Sequence, residues 1–526
     1  MSSTTFTQGM VTSPDSVASE CGAAVLRQGG TAVEAAIATC AALFVTYPHF
    51  CGMGGDILML TADSKGKVQA VTGIGQSAVD IRGYEQHIPV RGGRSALTSA
   101  GALCALEAAW NISKLDMGGR YSWKSLWEPA LSLAAEGYPV SASERFWLSF
   151  RDKEKKQLPA IFQTFSPHGV IPDVGTLRRR TDLSASIRAI ADQGAREFYE
   201  GELANKLVKG LIEIGSPLRL GDLAATRAKI ETPLSLPYRG GILLSQPPPT
   251  QGMTTLQIMG LLEQFDFQKI TQGSADHFHL MVEAVKLAFQ DRNLFLADPD
   301  YSEIPIDRLL SKKYLIKQAS SIHMHQAAPW PHAYQQGDTV YIGAYDAKGN
   351  AASVLATIYF DWGSGVMVGD TGVLWHNRGS AFTTAPSHPN SLAPSKRPFH
   401  TLNPGLYMKN NKPNILFGTQ GADGQPQTLA AVLTRLIDFG MDPLSALAAP
   451  RFLLGKTFSD SSDNLKLESN VGSEVIHNLK QRGHYLSMLN PQSPLMGHPG
   501  VIVIDPVTNL ISGAHDPRSD GLAIGI

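Results

Sequence analysis

The sequence predicts an α/β (α+β) protein in which helices pack on both faces of sheets, and three observations carry that reading. Helix-like and strand-like segments alternate along 526 residues with no internal repeat and no low-complexity tract. Residues 35–45 form the longest apolar stretch, far short of the roughly 20 residues a membrane span needs and interrupted by Thr39, so it reads as a core helix. Two β-prone runs, 339–345 and 351–360, flank the turn-rich cluster Asp346-Ala347-Lys348-Gly349-Asn350 and read as a hairpin.

In chain order, residues 15–27 and 33–45 have helical periodicity, each bounded by glycine. Short apolar runs at 57–60 and 68–71 surround Ser64-Lys65-Gly66, a hairpin signal. From 102 to about 292 the pattern is mostly helical, with 276–297 the longest amphipathic segment. Residues 326–338 contain Pro331 and no strong periodicity, which reads as a flexible stretch leading into the hairpin. Length alone suggests three or four domains.

Composition excludes several function classes. A formal net charge of −1 with 17% charged residues gives no electrostatic case for nucleic acid or an anionic membrane as partner, so small molecules are expected instead. Cys21, Cys40, Cys51 and Cys104 show no metal-finger or Cys-x-x-Cys spacing and read as free buried thiols in a reducing compartment. Residues 1–11 lack a basic patch and an apolar core, so no secretory signal is read and a cytoplasmic location is expected. No cofactor or metal is expected. His277 with His279, and His323 with His325, each offer two imidazoles, but alternate helical residues do not share a face. Gly455-Lys456-Thr457 has Pro450 where a phosphate loop needs glycine, and no Gly-x-Ser-x-Gly elbow occurs. Gly54-Gly55 beside Asp56 has two readings, an anion cradle or a tight turn.

The hairpin carries the chemistry. If Asp346 lies opposite Ala351, counting back places Thr339 opposite Ile358, within one residue of register, and Thr357 roughly 5 to 8 Å from Thr339. A threonine in a strand is ordinarily a β-branched residue on a pleated surface. It becomes a nucleophile if the Asp338–Thr339 bond is cut, because an α-amine with a pKa of about 7.7 to 8 can then activate its own residue's hydroxyl. Further along, Gly418-Thr419-Gln420-Gly421-Ala422-Asp423-Gly424 enters a helix-like segment. Such a loop is either a plain strand-to-helix turn or a source of backbone amides for an oxyanion.

The order and spacing of many short blocks resemble the γ-glutamyltranspeptidases over nearly the whole chain. They include Gly29-Gly30-Thr31-Ala32-Val33-Glu34-Ala35-Ala36, Pro48-His49, Gly52-Met53-Gly54-Gly55, Pro247-Pro248-Pro249, Asp291-Arg292, Gly363-Ser364-Gly365, Lys396-Arg397-Pro398 and Asp516-Pro517-Arg518. The resemblance implies an N-terminal nucleophile hydrolase αββα sandwich interleaving a large segment, 1–338, with a small one, 339–526, that stays associated after self-cleavage between Asp338 and Thr339. It places Thr339 on the family's catalytic threonine, Thr357 on its supporting threonine, and Gly421 and Ala422 on its oxyanion loop.

Departures from the family narrow the substrate. Gly75-Gln76-Ser77-Ala78 stands where transpeptidases carry the arginine that grips a glutamyl carboxylate, and Asn377-Arg378-Gly379-Ser380-Ala381-Phe382 replaces the acids that hold its ammonium. A buried substrate charge left unpaired binds poorly, which argues against a γ-glutamyl group. Residues 358–365, Asn377-Arg378-Gly379, His388-Pro389-Asn390 and Gly424-Gln425-Pro426-Gln427-Thr428 resemble instead the oxamate amidohydrolase branch. That resemblance implies a small carboxylate-bearing amide as substrate. Arg378 and His400 would clamp the anion, with Tyr359, Thr401 and Gln427 completing the pocket. Two rivals remain at this stage: a γ-glutamyltransferase or glutathione hydrolase with an altered clamp, and a non-processing binding relative. A homo-oligomer is compatible with each.

Overall fold

The computed structural model describes residues 4–330, 338–456 and 462–526. Most of the stretch expected to be flexible before the hairpin, and Thr457 of the set-aside phosphate-loop look-alike, lie outside the described residues.

Two antiparallel sheets pack face to face. The first has seven strands in the order Leu522–Gly525, Gly9–Ser13, Asp338–Asp346, Ala351–Tyr359, Asp56–Ala62, Val68–Gly73, Lys229–Glu231. The second has six, in the order Ile511–His515, Pro499–Ile504, Lys412–Thr419, Gly405–Lys409, Gly241–Ser245, Leu234–Tyr238. Each sheet takes strands from both sides of residue 338, so the two parts of the chain share one core rather than the three or four domains that length suggests.

Period-2 alternation assigns each strand's side chains to one layer or another. Met10, Leu60, Leu406, Leu416 and Ile502 fill the space between the sheets, and Tyr341, Leu355 and Leu402 extend it toward the strand ends. Val340, Ile342, Val354 and Ala356 point the other way, onto helices Ala32–Thr46 and Ala102–Asp116. On the far side, helices Gly252–Leu262, Ala275–Phe295 and Gln425–Ile437 cover Phe417, Tyr407 and Val501 of the second sheet. The result is an αββα sandwich.

Helix Ala32–Thr46 is buried along its whole length, as its apolar run predicts, and begins at a capping box in which Thr31 and Glu34 satisfy each other's backbone amides. No described helix is long and apolar enough to cross a membrane. The four cysteines are free; Cys40, Cys51 and Cys104 are buried and Cys21 is half-buried. Between residues 102 and 292 the chain is mostly helical, as its pattern predicts. The region 102–292 also contains the strands Lys229–Glu231, Leu234–Tyr238 and Gly241–Ser245. Arg239 and Gly240, at φ 43° and 76°, form a two-residue turn of the kind that matches strand twist, so this segment folds as a hairpin.

Candidate active site

The predicted hairpin forms, one residue out of the counted register: Tyr345, not Asp346, lies opposite Ala351. Asp346 is instead spent on the turn, accepting from the amides of Lys348 and Asn350 at 2.9 and 3.0 Å. The ladder runs regularly to Ala356 opposite Val340 and then shifts, so that Tyr359 pairs with Asp338. Thr357 and Ile358 together therefore face Thr339, a β-bulge at the strand end. Past it, Tyr359 adopts φ 75° and Trp362 φ 60°, left-handed conformations that non-glycine residues hold only where surrounding contacts enforce them. The enforcing contacts are specific. Asn377 Oδ1 accepts from the Phe360 amide at 3.1 Å, and Arg151 grips the buried Asp361 carboxylate through two bonds of 2.7 Å.

Thr339 is fully buried, and its hydroxyl accepts a hydrogen bond from Gln425 Nε2 at 3.2 Å. Thr357 Oγ1 accepts from the Tyr359 amide at 2.8 Å, tying the bulge to the strained residue after it. Gln425 begins the helix Gln425–Ile437, directly after the loop sequence analysis singled out. In that loop Gly421 has φ 129° and Ala422 φ 48°, and residues 422–424 form a short helical turn closed by the Gly424 N–H on Gly421 O at 2.7 Å. The loop is bolted from below. Gln251 Nε2 donates to Thr401 O at 2.6 Å and to Ala422 O at 2.7 Å, while Arg292 reaches Gln251 Oε1 at 3.2 Å and pairs with Asp423 at 3.0 Å.

Arg378 is the most unusual group in this region. Its side chain is fully buried, its guanidinium stacks 3.8 Å from the Tyr359 ring, and Nε, Nη1 and Nη2 make no hydrogen bond among the described residues. Burial pulls its pKa down to about 10, opposed by Tyr359 and Asp56, so it remains a cation at neutral pH. Thr401 Oγ1 and Gln425 Oε1 are also buried without a hydrogen-bond partner among the described residues.

His400 behaves differently from the clamp expected of it. Its Nδ1 accepts from the Leu402 amide at 3.3 Å, which puts the ring proton on Nε2, 3.2 Å from Asp56 Oδ2. Both ring nitrogens are thus engaged. Burial, then the neighbouring Arg378, pull its pKa down to about 3, so the ring is neutral. Gln427 is likewise occupied: its amide donates to Asp423 O and Leu454 O and accepts from the Leu454 N–H, which locks the loop to the strand Phe452–Leu454.

Sequence reasoning missed the residues that hold this arrangement. Asp56 accepts from the amides of Gly75 and Gly101 at 3.0 and 2.9 Å and faces His400 and His376; burial raises its pKa, but the two histidines outweigh that and hold it well below the usual carboxylate range. Asp56 was noticed only as the neighbour of Gly54-Gly55, and nothing in its local pattern points to histidines more than 300 residues away. His277 and His279, set aside as a pair, do diverge, toward Thr434 and His484. His279, His484 and Glu283 lie close together, but Lys286 Nζ and the Ala328 amide already occupy the Glu283 carboxylate.

The sequence profile of the family described as Gamma-glutamyltranspeptidase matches residues 18–526. A glutathione hydrolase-like YwrD proenzyme of Bacillus subtilis is 38% identical over 525 residues, covering 99% of this chain and 99% of that protein. An oxamate amidohydrolase proenzyme of Klebsiella pneumoniae is also 38% identical, over 528 residues, covering 100% of this chain and 99% of that protein. Among solved structures, a cephalosporin acylase from Bacillus halodurans superposes with a TM-score of 0.91 at 31% identity, covering 100% of this chain and 97% of that one.

Proposed function

Because this chain belongs to the γ-glutamyltranspeptidase family of hydrolases, we propose that it is a self-cleaving amidohydrolase that uses Thr339 as nucleophile against a small amide bearing a carboxylate, oxamate being the simplest candidate. Cleavage between Asp338 and Thr339 yields segments 1–338 and 339–526, held together by the shared sheets. The freed α-amine takes the proton of the Thr339 hydroxyl as the oxygen attacks the substrate carbonyl. The N–H groups of Gly421 and Ala422 receive the developing oxyanion. Ammonia leaves, and water resolves the Thr339 ester. Thr357 and Gln425 orient the nucleophile, and Gln427 holds the oxyanion loop.

The observation that carries the substrate class is Arg378. A buried guanidinium with three unpartnered nitrogens is costly unless an anion completes it, and a planar carboxylate matches its fork. Thr401 Oγ1 offers a further hydrogen bond, and the Tyr359 ring fixes the plane of the guanidinium. His400, neutral and engaged, serves to hold Asp56 rather than to supply charge. The same cation counts against the γ-glutamyl rival, whose α-ammonium would meet it. The test is ammonia release from oxamate and related amides. Turnover of carboxylate-bearing amides, with their uncharged analogues unused, supports the reading; γ-glutamyl-p-nitroanilide as the only substrate overturns it.

A further inference from the structure

The uncut chain poses a chemical problem that the mature enzyme does not. Before cleavage the Thr339 nitrogen is an amide and cannot accept the hydroxyl proton, so self-cleavage needs another acceptor. The cross-sheet packing shows where one lies. A Cβ on Gly343 would sit 3.4 Å from Ile502, and one on Gly500 would sit 2.7 Å from the Tyr341 ring. Across the gap, then, 343 faces 502 and 341 faces 500. His498 immediately precedes the strand Pro499–Ile504, and one further step of the same alternation brings it to the end of the sheets where Thr339 lies. The loop packing agrees: Gly497 lies against Gln420 and Gly421, and Gln425 a few residues on bonds the Thr339 hydroxyl.

His498 is 2% exposed, and neither ring nitrogen has a hydrogen-bond partner among the described residues. The titratable groups around it are His49, His515, Asp516, Arg451 and Arg518. These have partners of their own: His49 meets Ser143, His515 meets Thr12, and Asp516 pairs with both arginines. An imidazole so placed, with one donor and one acceptor uncommitted, is equipped to hold a water.

We propose that His498 is the proton relay for self-cleavage, acting on Thr339 through a water held between the two sheets. The Thr339 hydroxyl proton passes through that water to the His498 imidazole as Oγ bonds to the Asp338 carbonyl carbon. The imidazolium then returns the proton to the Thr339 nitrogen as the C–N bond breaks, leaving an Asp338 ester on Thr339 and a free amine. A second water hydrolyses the ester to the Asp338 carboxylate. Burial, which pulls the His498 pKa down to about 4, keeps the ring neutral and able to accept at neutral pH.

The inference rests on Thr339 being the cleavage nucleophile, so the experiment separates the two. Freshly expressed full-length protein is followed by denaturing gel and intact mass for the wild type, Thr339→Ala, His498→Gln and His498→Gly, with circular dichroism as a check on folding. The expected result is no cleavage in Thr339→Ala, and cleavage slowed on the order of 100-fold in both His498 variants. Added imidazole should accelerate His498→Gly and leave His498→Gln unchanged, a response that a merely structural role for the ring would not give. Cleavage of Thr339→Ala, or an uncut wild type, overturns the nucleophile reading and the relay with it. Wild-type cleavage rates in His498→Gln, or slow cleavage in His498→Gly that imidazole does not restore, overturn the relay alone.

Discussion

Arg378 is buried with no hydrogen-bond partner among the described residues, and that single side chain sets the substrate prediction. Arg378→Lys keeps a cation but loses the planar fork and the stacking on Tyr359, so kcat/KM for the best carboxylate-bearing amide should fall at least about tenfold, about 1.4 kcal/mol of transition-state binding. Self-cleavage should proceed normally, because the leaving peptide needs no carboxylate clamp. Steady-state kinetics on cleaved protein decide the point; wild-type turnover in both Arg378→Lys and Arg378→Ala would place the clamp elsewhere. The arginine was legible in the sequence because it lies beside Ser380 and Ala381, which the family resemblance sets in place of the transpeptidase acids. Its isolation was not, since burial and missing partners are tertiary facts. For His400 the sequence reading named a clamp, yet Asp56 and the Leu402 amide claim both nitrogens.

At the level of elements, two features hold the hydroxyl proposed as nucleophile: the bulge opposite Thr339 and the bolted loop around Gly421 and Ala422. The hairpin was readable from alternation and its turn. The bulge was not, because period-2 counting assumes an unbroken ladder, and the extra residue at Thr357 and Ile358 leaves no compositional mark. The loop's glycines were visible, whereas Gln251, which fastens it, comes from a distant helix start. Gln251→Ala removes the donor shared by Thr401 O and Ala422 O and leaves Arg292 with one acceptor fewer. A displacement of about 1 Å in that loop should lower kcat on the order of 100-fold with little change in KM, since the carboxylate clamp is untouched. An unchanged kcat would show that the loop holds its shape without Gln251.

The whole molecule buries more ionisable groups than its near-neutral charge suggests. His277, His400, His484 and His515 are pulled to about 3 and His498 to about 4, all first by burial. Each is neutral when folded and protonates near pH 6.5 when unfolded, so its contribution is full above that pH and shrinks as pH falls, by at most about 1.4 kcal/mol per unit. Asp15, raised to about 6, and Glu144, raised to about 7, act in the opposite sense, gaining stability as pH falls through those values. His49 and His279 are lowered in the same way, and Glu107, Asp438 and Asp520 are raised by burial like Asp15 and Glu144. Seven histidines outweigh five carboxylates, so the melting temperature should drop between pH 6.5 and 4.5, and a flat or rising Tm in scanning calorimetry would contradict this balance. The layered fold was legible in the alternating segments and in the family blocks. Which strands neighbour which was not, because the sheets join residues as distant as Met10 and Gly525, and alternation identifies a buried face without naming its partner.

The claim on which the rest depends is that Thr339 becomes a chain terminus and then the nucleophile. N-terminal sequencing of the purified, active protein tests it most directly. The account predicts two associated chains, the second beginning Thr-Val-Tyr-Ile, and a Thr339→Ala variant that stays a single inactive chain. An active protein that remains one uncut chain, or a second chain beginning anywhere other than Thr339, would contradict it.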